Sequence, residues 1–313
     1  MRIVSVTSRR ARWAIEPRGA ARDLSEREAL VLGVRSDAGT TGLGEAAPLP
    51  GMSIDALDDA ERAFDALAAR VPFAIDFPAH ATGIADRITG APAARFAIET
   101  ALLVALAQRA RTSVASLWRP VPQGELRCAV VVDDEAEASA ANARHLKIKL
   151  GGAAFGDDLA RVQRIARAAP TALLRLDVNR RWPLAETVAR LVALCDAIRN
   201  IEYVEEPCAG AHELLAHGLP CRLALDESLV ELAPADLARA LASDRLAALA
   251  LKPTLLGGFA RCLELAAAAH RHGVAPVVSH ALEGPIGTAA CVELARAIGA
   301  DVAVGLAPHG KAA

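Results

Sequence analysis

No stretch of this sequence comes near the roughly 18 uninterrupted apolar residues that a membrane span requires. Its opening run, MRIVSVTSRRARWAIEP, lacks the continuous apolar centre of a secretory signal. The expectation is a cytoplasmic protein without a membrane partner. Basic blocks are missing too. The 35 Lys and Arg stand against 37 Asp and Glu, for a formal charge of −2, so nothing here would neutralise a nucleic-acid backbone or an anionic lipid surface. The six cysteines, Cys128, Cys195, Cys208, Cys221, Cys262 and Cys291, form no C-x-x-C pair and lie scattered through apolar segments, which argues against a zinc site and for reduced, buried thiols. Aromatic residues make up only 3% of the chain; together with the abundance of Ala and Arg this reads as genomic bias and decides nothing about function. No G-x-G-x-x-G or Walker-type loop follows any candidate strand, so an open nucleotide-binding sheet is the weaker architecture.

What is present is apolar material, 53% of 313 positions, enough to bury one large domain and a smaller partner. Residues 1–120 read as an α+β capping domain. Two β-like runs, IVSVTSRRARW and ALVLGVRS, precede the turn-rich segment DAGTTGLGEAAPLPGMS. Periodicity then predicts an amphipathic helix over 54–69 and a longer, mostly buried one over 93–110, just after Pro92. Past Pro120 and Pro122 the pattern changes, and residues 121–313 read as a (β/α) barrel. The candidate strands LRCAVVV, HLKIKL, ALLRLDVN, IEYVEEP, RLALDES, LAALALKP, APVVSH and VAVGLA alternate with alanine-rich helices, at a spacing of roughly 20 to 30 residues that suits a closed α/β barrel.

In such a barrel the C-terminal strand ends converge on one mouth. Lys147 and Lys149 end the second strand, two apart and so on one face. Arg175, Asp177 and Asn179 share a face of the third; Glu205-Glu206-Pro207 and Asp226-Glu227 end the fourth and fifth, and Lys252-Pro253 ends the sixth. A lone acidic strand end is usually a loop ion pair or a helix cap, and a lone K-x-K an exposed edge strand. Three acidic ends in succession, buried together without a cation, would repel and raise one another's pKa values. A bound hard cation removes that conflict, and all-oxygen ligation favours Mg²⁺ over zinc. Lysine in water gives up its proton only near about 10.4. Lys149 becomes usable as a base if Lys147 and a metal beside it favour the neutral amine.

The order LKIKL, LRLDVN, YVEEP, ALDESL and LKPTLLGG, with the loop GLGEAAPLPGMS, resembles the enolase superfamily. Within it the muconate-lactonizing subgroup is most similar, and within that subgroup the o-succinylbenzoate synthases of menaquinone biosynthesis. The likeness runs from Glu28 to Leu306. It implies an α/β fold, a (β/α) barrel of the modified TIM type with an N-terminal α+β capping domain, and a carbon–oxygen lyase acting on a small carboxylate. By the same resemblance Lys149 removes the proton α to the carboxylate and then protonates the departing hydroxide in a syn dehydration. Lys147 tunes it, and Lys252 stabilises the intermediate from the opposite face. Asp177, Glu205 and Asp226 hold Mg²⁺, or Mn²⁺ in its place, to stabilise an enediolate. Ser53, Arg175, Asn179, Ser279 and Gly305 are the expected substrate contacts. Whether the chain forms a homo-oligomer is left open.

The sequence also departs from that pattern. Where the synthases carry SSS-x-ES, this chain reads Ser279-His280-Ala281-Leu282-Glu283-Gly284, in the region that meets the distal part of the substrate. The eighth strand runs into GLAPHG, and the chain ends at Ala313, short of the tail that in that family packs back on the cap. His280 is either a substrate contact or a hydrogen-bonded structural histidine, and Glu283 reads as an acid at a helix N-terminus. N-acylamino-acid racemisation needs the same lysines and metal and stays open. Dipeptide epimerisation calls for a D-x-D near the end of strand eight, which VAVGLAPHG lacks. A Schiff-base aldolase would account for Lys252 but not for the carboxylates, and a non-catalytic barrel would require neither. The loop over 42–53 is expected to be a lid that excludes water.

Overall fold

The structure, a computed structural model, describes residues 1–15, 24–121, 124–299 and 302–307. Pro122 and the Pro308-His309-Gly310 end of GLAPHG lie outside them. The first lobe is an antiparallel sheet of β1 (Arg2–Ala14), β2 (Glu26–Ser36), β3 (Thr41–Ala46) and the short β4 (Phe73–Ala74), in the order β3-β2-β1-β4. With it go α1 (Leu57–Ala68), α2 (Pro78–Ala85) and α3 (Pro92–Ala110). The first helix begins at Leu57, three residues later than its periodicity predicts. Asp59 reaches back to the Ala56 amide at 2.8 Å and fixes the N-cap there, while Asp55 turns to the Ala93 amide at 2.9 Å and caps α3 instead.

The third helix lies against β3 more closely than side chains permit. A Cβ at Gly44 would stand 1.8 Å from the Ala97 carbonyl oxygen, and one at Gly42 1.9 Å from that of Ala101. Glycine on the strand is therefore required for this contact with the helix backbone. The helix also packs on the barrel. Glu99, 1% exposed, accepts the amides of Phe259 and, at 3.0 Å, Ala260. Burial pushes its carboxyl up from the ordinary 4.5 to about 7, against the pull of those two amides.

The second lobe runs β5 (Val130–Val131), α4 (Glu135–Ala141), β6 (His145–Lys149), α5 (Phe155–Ala168), β7 (Leu173–Asp177), α6 (Leu184–Ala197) and β8 (Ile201–Glu205). It continues with α7 (Ala211–Leu214), β9 (Leu223–Leu225), α8 (Ser228–Glu231), α9 (Pro234–Leu241), β10 (Leu246–Leu251), α10 (Pro253–Leu256), α11 (Phe259–Arg271), β11 (Ala275–Val278) and α12 (Pro285–Ile298). Its seven strands are parallel and ordered as in the chain. All six residues of β10 are buried, as expected of a strand covered on both faces.

The expected eighth strand is not a ladder. It makes single bridges, Val304 to Cys128 and Gly305 to Ser279. Even so, Val304 donates to the Arg127 carbonyl and Gly305 to that of Val278, each at 2.8 Å, so both edges of the sheet are joined and the ring closes. The first expected strand is regular only at Val130–Val131 for the same reason, because the stagger of a closed barrel leaves little overlap at its seam. Among the described residues no helix is long and apolar enough to cross a membrane.

Candidate active site

The period of two in β6 buries Leu146 and Ile148 in the hydrophobic layer and turns Lys147 and Lys149 to the other face. Lys149 pairs in register with Asp177 on β7, and Asp177 with Glu205 on β8, so these three side chains stand abreast. Lys147 Nζ lies 2.9 Å from Asp177 Oδ2 and 2.9 and 2.8 Å from the two Glu205 oxygens. Lys149 Nζ lies 2.5 Å from Asp177 Oδ2 and 3.1 Å from Asn179 Oδ1. Across the mouth, Lys252 Nζ lies 2.5 Å from Asp226 Oδ2. Glu227 joins the two groups, its Oε1 accepting from Asn179 Nδ2 at 2.9 Å.

Burial and mutual charge set the electrostatics of this cluster. Burial alone would raise the Asp177 carboxyl, but the ammonium groups of Lys147 and Lys149 outweigh it and hold Asp177 well below the usual carboxylate range. Glu205 is pushed up to about 7, first by burial and then by the Asp177 charge. Asp226 is raised by burial, which Lys252 only partly offsets. Burial would lower Lys147 and Lys252, yet the carboxylates around them keep both above the ordinary lysine value.

Four carboxylates, Asp177, Glu205, Asp226 and Glu227, thus face three ammonium groups, Lys147, Lys149 and Lys252. Fully ionised, the mouth carries one uncompensated negative charge. Glu227 Oε2 is also buried without a hydrogen-bond partner among the described residues. This surplus, the orphaned oxygen and the all-oxygen donor set fit a hard divalent cation. As they stand, no three acidic, His or Cys side chains among the described residues are drawn together as a metal holder. The ammonium groups of Lys147 and Lys252 lie against the oxygens such an ion would take.

The expected substrate contacts are placed less uniformly. Asn179 is in the cluster. Arg175, two residues below Asp177 on the same face, is 1% exposed and plugs the barrel interior: Nε lies 2.7 Å from Glu202 Oε2, Nη1 2.7 Å from the Ala303 carbonyl, and the guanidinium sits over the Tyr203 ring. Ser279 Oγ donates to the Gly305 carbonyl at 3.2 Å, so these two residues form the ring's seam. Ser53 Oγ accepts the Leu49 amide at 2.7 Å and borders a cleft of about 570 Å³ in the first lobe with Arg27, Pro48 and Asp55. His280 uses both ring nitrogens, Nε2 with the Ala307 carbonyl at 3.1 Å and Nδ1 with the Leu282 amide at 3.2 Å, and is the hydrogen-bonded structural histidine of the two alternatives. Glu283 corrects an expectation. Its carboxylate turns to the Ala281 amide and the Thr254 hydroxyl, while Glu45 of the first lobe takes the amides of Gly284 and Gly287 that open α12.

Glu206 has a part in the site that its place beside Glu205 in the sequence does not reveal. Fully buried, it accepts the amides of Asp226 and Ser228 at 2.9 and 2.8 Å and the Arg180 Nε at 3.0 Å, and so anchors the backbone that presents Asp226. The doubled acid of EEP was the available signal; only the backbone separates an inward Glu205 from an outward Glu206. That backbone is left-handed at Glu206 (φ 41°), Asn179 (47°), Arg180 (59°) and Leu282 (61°), all in loops that follow barrel strands. Such conformations cost non-glycine residues roughly 1 kcal/mol or more each and gather at functional sites.

A family model described as "Enolase C-terminal domain-like" matches residues 131–308. The chain is 31% identical over 295 residues to the o-succinylbenzoate synthase of Pectobacterium atrosepticum, covering 90% of this chain and 83% of that protein. Among solved structures, a dipeptide epimerase from Methylococcus capsulatus, complexed with Mg and the dipeptide L-Arg-D-Lys, is similar with a TM-score of 0.83 and 27% identity over 98% of this chain and 91% of that one. The muconate lactonizing enzyme of Pseudomonas putida is similar with a TM-score of 0.78 and 25% identity over 93% and 84%. By sequence and by fold, the chain belongs to the enolase superfamily.

Proposed function

We propose that this protein is an o-succinylbenzoate synthase, a hydro-lyase that converts 2-succinyl-6-hydroxy-2,4-cyclohexadiene-1-carboxylate to o-succinylbenzoate in menaquinone biosynthesis. The observation that carries the reading is the arc of Asp177, Glu205 and Asp226, with Lys147 and Lys149 at one end and Lys252 at the other. The 31% identity to the Pectobacterium atrosepticum synthase supports the substrate.

Lys149 Nζ, as the free amine, takes the proton α to the substrate carboxylate; the electron pair of the broken C–H bond moves into the carboxylate as an enediolate. The pair then returns to form the ring double bond, the C–O bond of the 6-hydroxyl breaks, and the proton on Lys149 leaves with the hydroxide as water. One lysine serving both steps makes the elimination syn. Lys252, an ammonium on the opposite side, stabilises the negative charge while it exists, and Lys147 stands beside Lys149 on the same strand face and shares Asp177 with it. A hard divalent cation held by Asp177, Glu205 and Asp226, Mg²⁺ or Mn²⁺, would supply positive charge beside the enediolate oxygens. Asn179 orients Lys149, and Ser53, Ser279 and Gly305 border the substrate's distal part.

The similarity to the Methylococcus capsulatus dipeptide epimerase favours a second reading, in which Lys149 and Lys252 are the two bases of an epimerisation. No acid occurs over 302–307 to hold a substrate ammonium group, and for that reason dehydration is preferred. Turnover followed by ultraviolet absorbance, with Mg²⁺ and then with excess chelator, tests the proposal. Exchange of the α-proton of dipeptides or N-acylamino acids in D₂O, without any dehydration, would replace it by the second reading.

A further inference from the structure

Three charged side chains are buried where the first lobe meets the loop after β11: Arg27, Glu45 and Glu283, 3%, 2% and 1% exposed. Arg27 donates to the carbonyls of Ala47 and Pro48, at 2.6 and 2.9 Å, in the loop of its own lobe. It also donates to those of Ala281 and Leu282, at 3.4 and 3.3 Å, in the barrel. Glu45 accepts the amides of Gly284 at 2.5 Å and Gly287 at 3.1 Å. These are free amides of the first turn of α12, whose N-cap Gly284 has no side chain to satisfy them. A Cβ at Gly284 would stand 2.9 Å from Glu45 Oε2, so the cap across the two lobes depends on glycine. Glu283 accepts the Ala281 amide at 2.7 Å and the hydroxyl of Thr254, which is fully buried and two residues beyond Lys252.

A continuous set of hydrogen bonds therefore runs from the loop Ala47–Ser53, through the segment 281–284, to the turn that carries Lys252. Burying such side chains is costly unless their hydrogen bonds are satisfied, and here backbone groups of both lobes satisfy them. We propose that Glu45 and Glu283 are positioning residues for the mouth. Glu283 fixes the Lys252-Pro253-Thr254 turn through the Thr254 hydroxyl, and with it the ammonium that faces Lys149; Glu45 fixes the docking of the loop that covers the substrate. The proposal rests on the reading that Lys252 faces the reacting carbon. It separates two kinetic effects, since a displaced Lys252 lowers the rate at saturation whereas a loosened cover weakens substrate binding.

The experiment compares Thr254→Val, which keeps the shape and removes the hydroxyl, with Thr254→Ser, and both with Glu45→Gln. It measures kcat and KM with Mg²⁺ together with amide hydrogen exchange at Gly284 and Gly287. Thr254→Val is expected to lower kcat about tenfold with KM within twofold, Thr254→Ser to restore kcat to within about twofold, and Glu45→Gln to raise KM about fivefold at nearly unchanged kcat. Exchange at the two glycine amides should rise in Glu45→Gln alone. An unchanged kcat in Thr254→Val, or a loss that Thr254→Ser does not repair, would overturn the role of Glu283. Wild-type protection of Gly284 and Gly287 in Glu45→Gln would overturn the clamp whatever the substrate. Failure of the unmodified protein to turn over the cyclohexadiene carboxylate overturns the proposed function instead, and the exchange result still decides the clamp.

Discussion

Replacing Lys149 by alanine separates its chemical role from its structural one. The substitution removes the contacts to Asp177 Oδ2 at 2.5 Å and Asn179 Oδ1 at 3.1 Å. Asp177 is not stranded by the change. It keeps Lys147 at 2.9 Å and the Asn179 amide at 3.1 Å, and the Lys149 side chain is 27% exposed, so water can follow it out. The 3–5 kcal/mol typical of an orphaned buried charge therefore does not apply, and a loss of about 1 kcal/mol, or roughly 2–4 °C in Tm, is expected. The chemical loss that follows from the proposed role as base is much larger. A group that both removes and delivers the proton is worth on the order of 10³-fold or more in kcat, about 4 kcal/mol of barrier. Dehydration followed by absorbance, α-proton exchange followed by NMR in D₂O, and thermal unfolding measure the three quantities on one sample. A variant within tenfold of the wild-type kcat would refute Lys149 as the base. A fall in Tm beyond about 10 °C would mean that the lysine holds the mouth together and that lost activity says nothing about proton transfer.

Asp177→Asn should weaken Mg²⁺ binding by calorimetry together with turnover, and lost turnover at unchanged affinity would remove Asp177 from the metal. Glu99→Gln tests the pH dependence of lobe docking. Glu99 ionises at about 7 in the folded protein against 4.5 ordinarily, so between those values the folded state holds more protons and stability falls as pH rises. The contribution is full below 4.5 and gone above about 7, at most roughly 3 kcal/mol. Urea unfolding at pH 5 and pH 8 should show wild type losing stability relative to the variant, and an equal gap at both pH values would contradict the burial of that charge. Gly44→Ala places a methyl 1.8 Å from the Ala97 carbonyl and should cost more than the 1–3 kcal/mol of ordinary overpacking, because backbone rather than a side chain must give way; circular dichroism of a stable, soluble variant would show that α3 can retreat.

The parts of this molecule that follow short-range periodicity were legible in its sequence. A period of two puts Lys147 with Lys149 and Arg175 with Asp177 and Asn179, and strand-end spacing brings Glu205, Asp226 and Lys252 to the same mouth. Depth in the barrel was not legible, because the same period that aligns Arg175 with Asp177 says nothing of a Glu202 placed to draw its guanidinium inward. The partners of buried acids were not legible either. Glu45 meets amides 239 and 242 residues away, and no local pattern encodes which helix a carboxylate will cap. The eighth strand reads as β from its valines, but at a barrel seam regular pairing is limited by stagger and not by propensity.

The mouth is expensive to fold. Four carboxylates converge within reach of three lysines, and four residues near the strand ends hold left-handed backbone without glycine. A barrel selected for stability alone would fill these positions with apolar side chains and glycine turns, since well-packed hydrophobic residues usually match or exceed a buried ion pair. Instead the neighbouring residues are built to keep the conflict in place. Glu206 commits its carboxylate to the Asp226 and Ser228 amides, the Ser228 hydroxyl and Arg180, and the Asn179 amide and side chain hold Asp177, Lys149 and Glu227 apart at hydrogen-bond distance. Four of the six left-handed non-glycine positions among the described residues lie at this end of the ring, the other two, Arg111 and Asn142, closing helices, and this concentration sets the mouth apart from an ordinary charged surface. It is also why the lysines and carboxylates should be tested as one unit, through paired substitutions, since their single-residue effects will not add.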